Sequence, residues 1–245
     1  MKRFVTEDSF WQLFPDAAIG VVVARGMRSA DEVGEQGRAG LASLLEGANR
    51  LAERHITSDT ISENEPVRAW REAYRRFKTK KGARCSIENL LKRVIKGRPV
   101  GPITPSVDVY NAVSLKYALP VGGEDIDSFA GDLRLTVTQG GDAFVPLGED
   151  GAEDPTLPGE LCYLDDEGAV CRCWNWRDGV RTALTDDSVN AFLVIECVEP
   201  GRVGDCRAAL DELAELVERY LGATIAVKRL VTAADREVGI EGCPP

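Results

Sequence analysis

The hydrophobic pattern changes period once along this chain, and that change limits the folds open to it. As far as Tyr117 the apolar residues mostly recur every three or four positions; from Leu133 they alternate or run together in short stretches. Before the change, 18–24 (AIGVVVA) reads as a strand and 31–55 as a long helix through Leu41, Leu44, Leu45, Ala48 and Leu51. Glu65-Pro66 starts a second helix with Val67, Trp70, Tyr74 and Phe77 on one stripe and Arg68, Arg71, Arg75 and Arg76 opposite. A third spans 86–97, capped by Ser86 and stopped by Gly97. After the change, LRLTVT (133–138) and AFVPL are expected to pair through Gly140-Gly141-Asp142. LCYL (161–164) and AVCRCWNW (169–176) form a second expected hairpin, with an acidic loop over 148–159 between the two. The run 190–198 reads as a buried central strand, 206–220 as an amphipathic helix and ATIAVKRLV as a last strand. Helices lead, hairpins follow and a helix closes, which predicts an α+β fold rather than a doubly wound sheet.

A chain of 245 residues, 44% hydrophobic, can bury one large core. The expected organisation is a core over 65–200, with 1–64 packing on it as a strand and helix and 201–245 completing the same domain. No apolar run approaches the roughly 18 residues of a membrane span, and no signal-peptide core follows the start, so a cytoplasmic protein without membrane contact is expected. Seven irregularly spaced cysteines fit reduced thiols; Cys162, Cys171 and Cys173 lie far from the one histidine, His55, and no metal or cofactor is expected. The net charge of −10 argues against a protein that coats nucleic acid, and DNA is not an expected partner. That total hides an asymmetry. Between Arg68 and Arg98 stand twelve basic residues, among them Lys78, Lys80 and Lys81, and two acids, so this stretch carries +10 and the remainder −20. Such a stretch suits contact with RNA phosphates.

The segment VDVYNAVSLKYALPVGGED (107–125) joins the two regimes. It sets Asp108, Asn111 and Ser114 at helical spacing among apolar residues, breaks at Pro120, and reads as a turn at Gly122-Gly123 between acids. Ser106 is the expected N-cap, and Asp108 in the first turn suits the helix dipole. Asn111 has no such local explanation. A buried amide left unpaired costs about 1 to 3 kcal/mol, so its partner is either the backbone or a ligand near the glycines. A second constellation is CRCWNWRDG (171–179). On a strand Trp174 and Trp176 share one face and Asn175 and Arg177 the other, ahead of an Asp178-Gly179 turn. Paired indoles make either a core corner or a stacking wall for a base or aromatic amino acid, with Arg177 at the rim. Glu196 lies inside FLVIECV, where an ionised carboxylate needs an Arg partner or a polar pocket. One histidine builds no Ser/His/Asp or Cys/His triad, and neither a phosphate loop nor a dinucleotide fingerprint is present.

Residues 107–125 also resemble the VD-x-x-N-Y-V-x-x-E-x-G-x-P-x-H-x-F-D segment of the editing domain, the B3/B4 region, of the bacterial phenylalanyl-tRNA synthetase β subunit. The matching positions are Val107, Asp108, Asn111, Val113, Pro120 and Asp125. WREAYRRF (70–77), SIENLLKR, PVGGED and WNWRDG are similar to stand-alone B3/B4 proteins, so the resemblance covers roughly 65–200. It implies layered sheets or a β-sandwich of mixed topology flanked by helices, opening between the sheets onto a pocket for an aminoacyl adenosine. In the synthetase this domain hydrolyses the ester of tyrosine wrongly attached to phenylalanine tRNA. By resemblance Asn111 holds substrate or water and Glu196 stands in for a strand carboxylate. Asp108, Gly122, Gly123, Trp174, Asn175, Trp176 and Arg177 line the pocket, and Arg68, Arg71, Arg75, Arg76, Lys78, Lys80 and Lys81 contact RNA. The implied function is a free-standing aminoacyl-tRNA deacylase whose partners are charged tRNA and an amino-acid-like ligand; the alternative is a non-catalytic RNA, amino-acid or nucleoside-binding module. Two departures mark this chain. Gly122 stands at the histidine of P-x-H, and WNWRDG replaces a G-x-M-G-G segment.

Overall fold

The computed structural model describes residues 2–148 and 151–241; Glu149 and Asp150 of the expected acidic loop, and Cys243, lie outside them. The chain opens with β1 (Arg3–Thr6), α1 (Asp8–Leu13), β2 (Ala18–Arg25) and α2 (Ala30–Ala52). Then come the helices α3 (Glu65–Ala73), α4 (Ser86–Ile95) and α5 (Pro105–Tyr117). The strands β3 (Val121–Asp125), β4 (Leu133–Val137), β5 (Leu161–Leu164), β6 (Ala169–Arg172), β7 (Arg177–Asp178) and β8 (Ala191–Cys197) follow. The helix α6 (Val203–Leu221) and the strands β9 (Thr224–Val231) and β10 (Glu237–Gly239) end the order.

These strands form two sheets, one in the order β10-β1-β4-β5-β6-β7 and one in the order β3-β8-β2-β9. The larger is mixed, because β1 runs parallel to β4 and antiparallel to β10. The smaller is antiparallel throughout. Alternation along β8 decides the layering. Phe192 and Val194 point into the core shared with Phe4, Leu133 and Leu161 of the larger sheet, while Leu193, Ile195 and Cys197 point into a second core against α2, α5 and α6. The molecule is thus an α+β stack of sheet, sheet and helices, and segments from both ends of the chain enter both sheets. No helix of the described residues is long and apolar enough to cross a membrane.

Several local expectations change. The N-cap of α5 is Thr104, whose side chain accepts from the backbone N–H of Val107, with Pro105 at the first helical position; Ser106 falls inside the helix. Cys85, not Ser86, precedes α4. AFVPL does not pair with β4, whose antiparallel partner is β5. The left-handed Gly140 and Gly141 turn the chain away, and Asp142 is held by the hydroxyl of Thr138 and by Thr156, whose backbone N–H donates to the Asp142 carbonyl at 3.1 Å. Residues 121–125 are a strand, not a glycine turn. After a left-handed Ala118 ends α5, β3 pairs with β8 in register from Val121↔Ile195 to Asp125↔Ala191.

The glycines suit that strand because of what lies beside them. A Cβ on Gly123 would sit 2.6 Å from Leu193 Cδ2 and 2.8 Å from Leu184 Cδ1, whereas one on Gly122 would meet only Val194 Cγ1 at 3.9 Å. Gly123→Ala is therefore expected to lower unfolding free energy by about 1 to 3 kcal/mol through overpacking, and Gly122→Ala to stay within about 0.5 kcal/mol of the parent. Urea titration of both variants checks this; equal costs would contradict the strand geometry.

Candidate functional site

Between the two sheets lies a cavity of about 230 Å³. The smaller sheet supplies Gly122 and Glu124 from β3 and Phe192, Val194 and Glu196 from β8; the larger supplies Leu133, Tyr163 and Val170. Tyr110 and Asn111 of α5 and Ser86, Asn89 and Leu90 of α4 close it, together with Trp174, Asn175, Trp176 and Asp178.

The last group comes from a reversal after β6. Cys173 and Trp174 take φ of 46° and 67°, in the left-handed region that side chains other than glycine seldom adopt, so the expected strand through Trp176 ends at Arg172. Trp174 drops into the core. Its indole is fully buried, with ring centroids of Phe14, Trp70 and Phe10 at 4.7, 4.8 and 5.3 Å. Trp176 stays half-buried in the cavity wall, so the two indoles do different jobs. Between them Asn175 accepts from the hydroxyl of Tyr74 at 2.9 Å and donates through Nδ2 to Glu196 Oε2 at 2.7 Å. Tyr163 donates to Glu196 Oε1, also at 2.7 Å. These bonds orient Glu196, which is only 1% exposed. Burial raises its pKa to about 7, against the bonds from Tyr163 and Asn175 that favour the charged form.

The three polar residues of 107–125 meet three fates. Asp108 accepts from the Ile103 N–H at 2.8 Å and lies off the cavity, with its pKa raised by burial. Ser114 donates to the Leu119 carbonyl at 2.6 Å and closes the helix end. Asn111, 8% exposed, faces the cavity. Gly122, Gly123, Trp174, Asn175, Trp176 and Glu196 also line it, so seven of the expected pocket residues come together. Arg177 does not. Its guanidinium lies over the Trp176 ring at 5.9 Å and reaches the Leu147 carbonyl at 3.4 Å.

Sequence reasoning passed over Glu124, Asp178, Tyr163 and Ser86. Glu124 would have emerged had 121–125 been read as a strand, since alternation puts it on the face of Gly122. Burial drives its carboxyl well above the usual range, and neighbouring Asp178 adds to that effect; burial raises Asp178 as well. Among the described residues Ser86 Oγ is a buried oxygen of the cavity wall without a hydrogen-bond partner, whereas Trp174 stands beside the Glu196 carboxyl and Glu124 beside Thr182 and Asp178. A buried oxygen without a partner is uncommon, and water or a ligand in the cavity would satisfy it.

The basic residues lie on the surface around α3 and α4. Arg71 pairs with Glu88 at 2.6 Å and Arg75 with Glu72 at 2.5 Å, Lys80 pairs with Asp154, and Arg76 donates to the Leu13 carbonyl; Arg68, Lys78 and Lys81 are exposed. Burial pushes the Cys162 and Cys171 thiols up, and among the described residues no group of three or more His, Cys, Asp or Glu side chains could hold a metal ion.

A sequence model of the B3/4 domain family matches residues 69–222. The N-terminal fragment of the phenylalanyl-tRNA synthetase β-subunit from Pyrococcus horikoshii is similar in structure at 11% identity and a TM-score of 0.47. The match covers 90% of this chain and 49% of that one, so the chain spans about half the fragment's length. No curated protein matches.

An acid whose folded pKa stands above its ordinary 4.5 keeps an extra proton only when folded. The stability this proton brings is complete below about 4.5 and is lost as pH rises through about 7. Denaturant titrations at about pH 5 and pH 8 are expected to show a smaller loss of stability across that interval in Glu196→Gln than in the parent. Equal losses would show that Glu196 does not titrate there.

Proposed function

The chain belongs to the B3/4 domain family, and from that premise we propose that its cavity receives the aminoacyl end of a charged tRNA and hydrolyses the ester. The observation that carries this reading is the cavity itself: about 230 Å³ between the sheets, with the unpaired hydroxyl of Ser86 in its wall and one oriented, buried carboxyl. Such a volume suits a small organic group rather than one water, whose share of the liquid is about 30 Å³. Outside, Ser86, Asn89 and Leu90 of the cavity wall belong to the same helix as Lys92 and Arg93, with Lys96 and Arg98 just beyond. A polyanion is held there by charge while its acylated end enters.

The chemistry follows from the groups in the wall. Glu196, titrating near neutrality, takes a proton from water as general base; the resulting hydroxide attacks the ester carbonyl carbon. The amide N–H of Asn111 donates to the oxyanion that forms. Collapse breaks the acyl–oxygen bond, and the ribose oxygen leaves with the proton that Glu196 took up, releasing a free amino acid and uncharged tRNA. Tyr163 and Asn175 hold the carboxyl in place throughout. A second reading keeps binding and drops turnover. Gly122 favours it, because the resemblance places a histidine there.

A deacylation assay over a panel of mischarged tRNAs separates the two. Release above background is expected for at least one, with Glu196→Gln slowing it by roughly 10² to 10⁴-fold. Binding of charged tRNA with no release from any of the panel would leave only the second reading; no binding at all would remove both.

A further inference from the structure

We propose that the cavity recognises its guest by a protonated primary amine, held between the carboxyls of Glu124 and Asp178. This deepens the aminoacyl reading of the same cavity, on which it rests, by naming the group the pocket reads.

Among the described residues three carboxyl-bearing side chains, Glu124, Asp178 and Glu196, line the space, and no lysine, arginine or histidine does. Two of the three sit together: Glu124 on β3 and Asp178 on β7 come from different sheets, and their side chains interact directly in the cavity wall. Glu124 is only 6% exposed, and among the described residues the side-chain donor beside its carboxyl is the neutral hydroxyl of Thr182. The other titratable or charged groups around the pair are Tyr110 from α5, Cys171 from β6, Glu196 from β8 and Arg181. Arg181 cannot serve as the missing cation inside the cavity, because both its terminal nitrogens are engaged by Asp165, at 2.8 and 2.6 Å. The Thr182 hydroxyl carries no charge, so it does not offset the desolvation of the carboxyl. What the site lacks is a donor with positive charge.

A primary ammonium supplies both. Its three N–H groups satisfy acceptors on separate strands, and its charge offsets the desolvation of two acids that burial alone would keep from ionising together. A metal ion fits less well, since among the described residues no acid group converges as metal ligands do. A neutral hydroxyl would leave the pair sharing one proton. Glu196, fixed by Tyr163 and Asn175, is left free to act on the bond next to the amine. Two kinds of guest carry this group, one through an α-amino nitrogen and one through an amine on the side chain, and probes can tell them apart.

Calorimetric titration of the full chain at neutral pH tests this with three probes. L-leucine methyl ester carries only an α-ammonium, Nα-acetyl-L-lysine methyl ester only a side-chain ammonium, and Nα-acetyl-L-leucine methyl ester neither. At least one charged probe is expected to bind at least about tenfold more tightly than the neutral one. The near-isosteric Glu124→Gln and Asp178→Asn are each expected to shrink that ratio, with unfolding curves confirming that the variants remain folded. Equal affinity for charged and neutral probes, no binding of either charged probe at millimolar concentration, or a ratio unmoved in a folded variant would overturn the proposal. Because no tRNA or turnover enters, amine selectivity without deacylation would sink only hydrolysis, and deacylation without amine selectivity would sink only this inference.

Discussion

The burial of Trp174 is the constraint on which the cavity depends. Two successive residues in the left-handed region, Cys173 and Trp174, are unfavourable by order 1 to 3 kcal/mol each and persist only where the surroundings over-determine them. Here the surroundings are the rings of Phe10, Phe14 and Trp70, drawn from three separate stretches of chain. Releasing the turn would expose an indole of roughly 150 to 250 Å². The strand end before the turn is fixed by a second device, Arg172 against Glu160 at 2.7 Å, with both side chains fully buried. A buried ion pair is a weak source of net stability, but its forked geometry holds one arrangement. Together they end the strand four residues before the expected end at Trp176, which brings Asn175 to Glu196 and Asp178 to Glu124.

Reversal at that point opens a cavity between the sheets where a packed core would otherwise lie. Had β6 continued through Trp176, both indoles would have shared a face and Glu196 would have lacked its amide partner. Instead the small sheet contributes a carboxyl among hydrocarbon, and the turn contributes the amide that orients it. Low dielectric around the acids is what shifts them upward, and the same low dielectric strengthens the hydrogen bonds that hold Glu196. The charge asymmetry seen along the chain has a spatial counterpart: acids within the cavity, and bases along the helix that closes one side of it.

Much of this was legible in the residues. Long periodic segments gave the helices to within a few positions, and 190–198 is the central strand β8. Asn111 and Glu196 stood out because polar groups in apolar surroundings need partners, and both face the cavity. Other features depend on contacts distant in sequence. β1 and β10 are four and three residues long, too short to show alternation, and are strands because each lies against the other. Residues 121–125 have the composition of a turn, yet they pair with β8, and a Cβ at 123 would crowd the side-chain ends of Leu193 and Leu184. With that strand read as a turn, Glu124 was only one of the acids flanking it. Asp178 was hidden for a related reason, since no local pattern shows that a two-residue strand will lie across from another sheet's edge.

The most direct measurement is a crystal structure with a non-hydrolysable 3′-aminoacylamido-adenosine bound. The aminoacyl group is expected between the sheets, its amide carbonyl in reach of Asn111 and Glu196 and its adenosine toward α4. Occupancy of any other surface, with the space between Asn111 and Glu196 left without ligand, would contradict the proposed site.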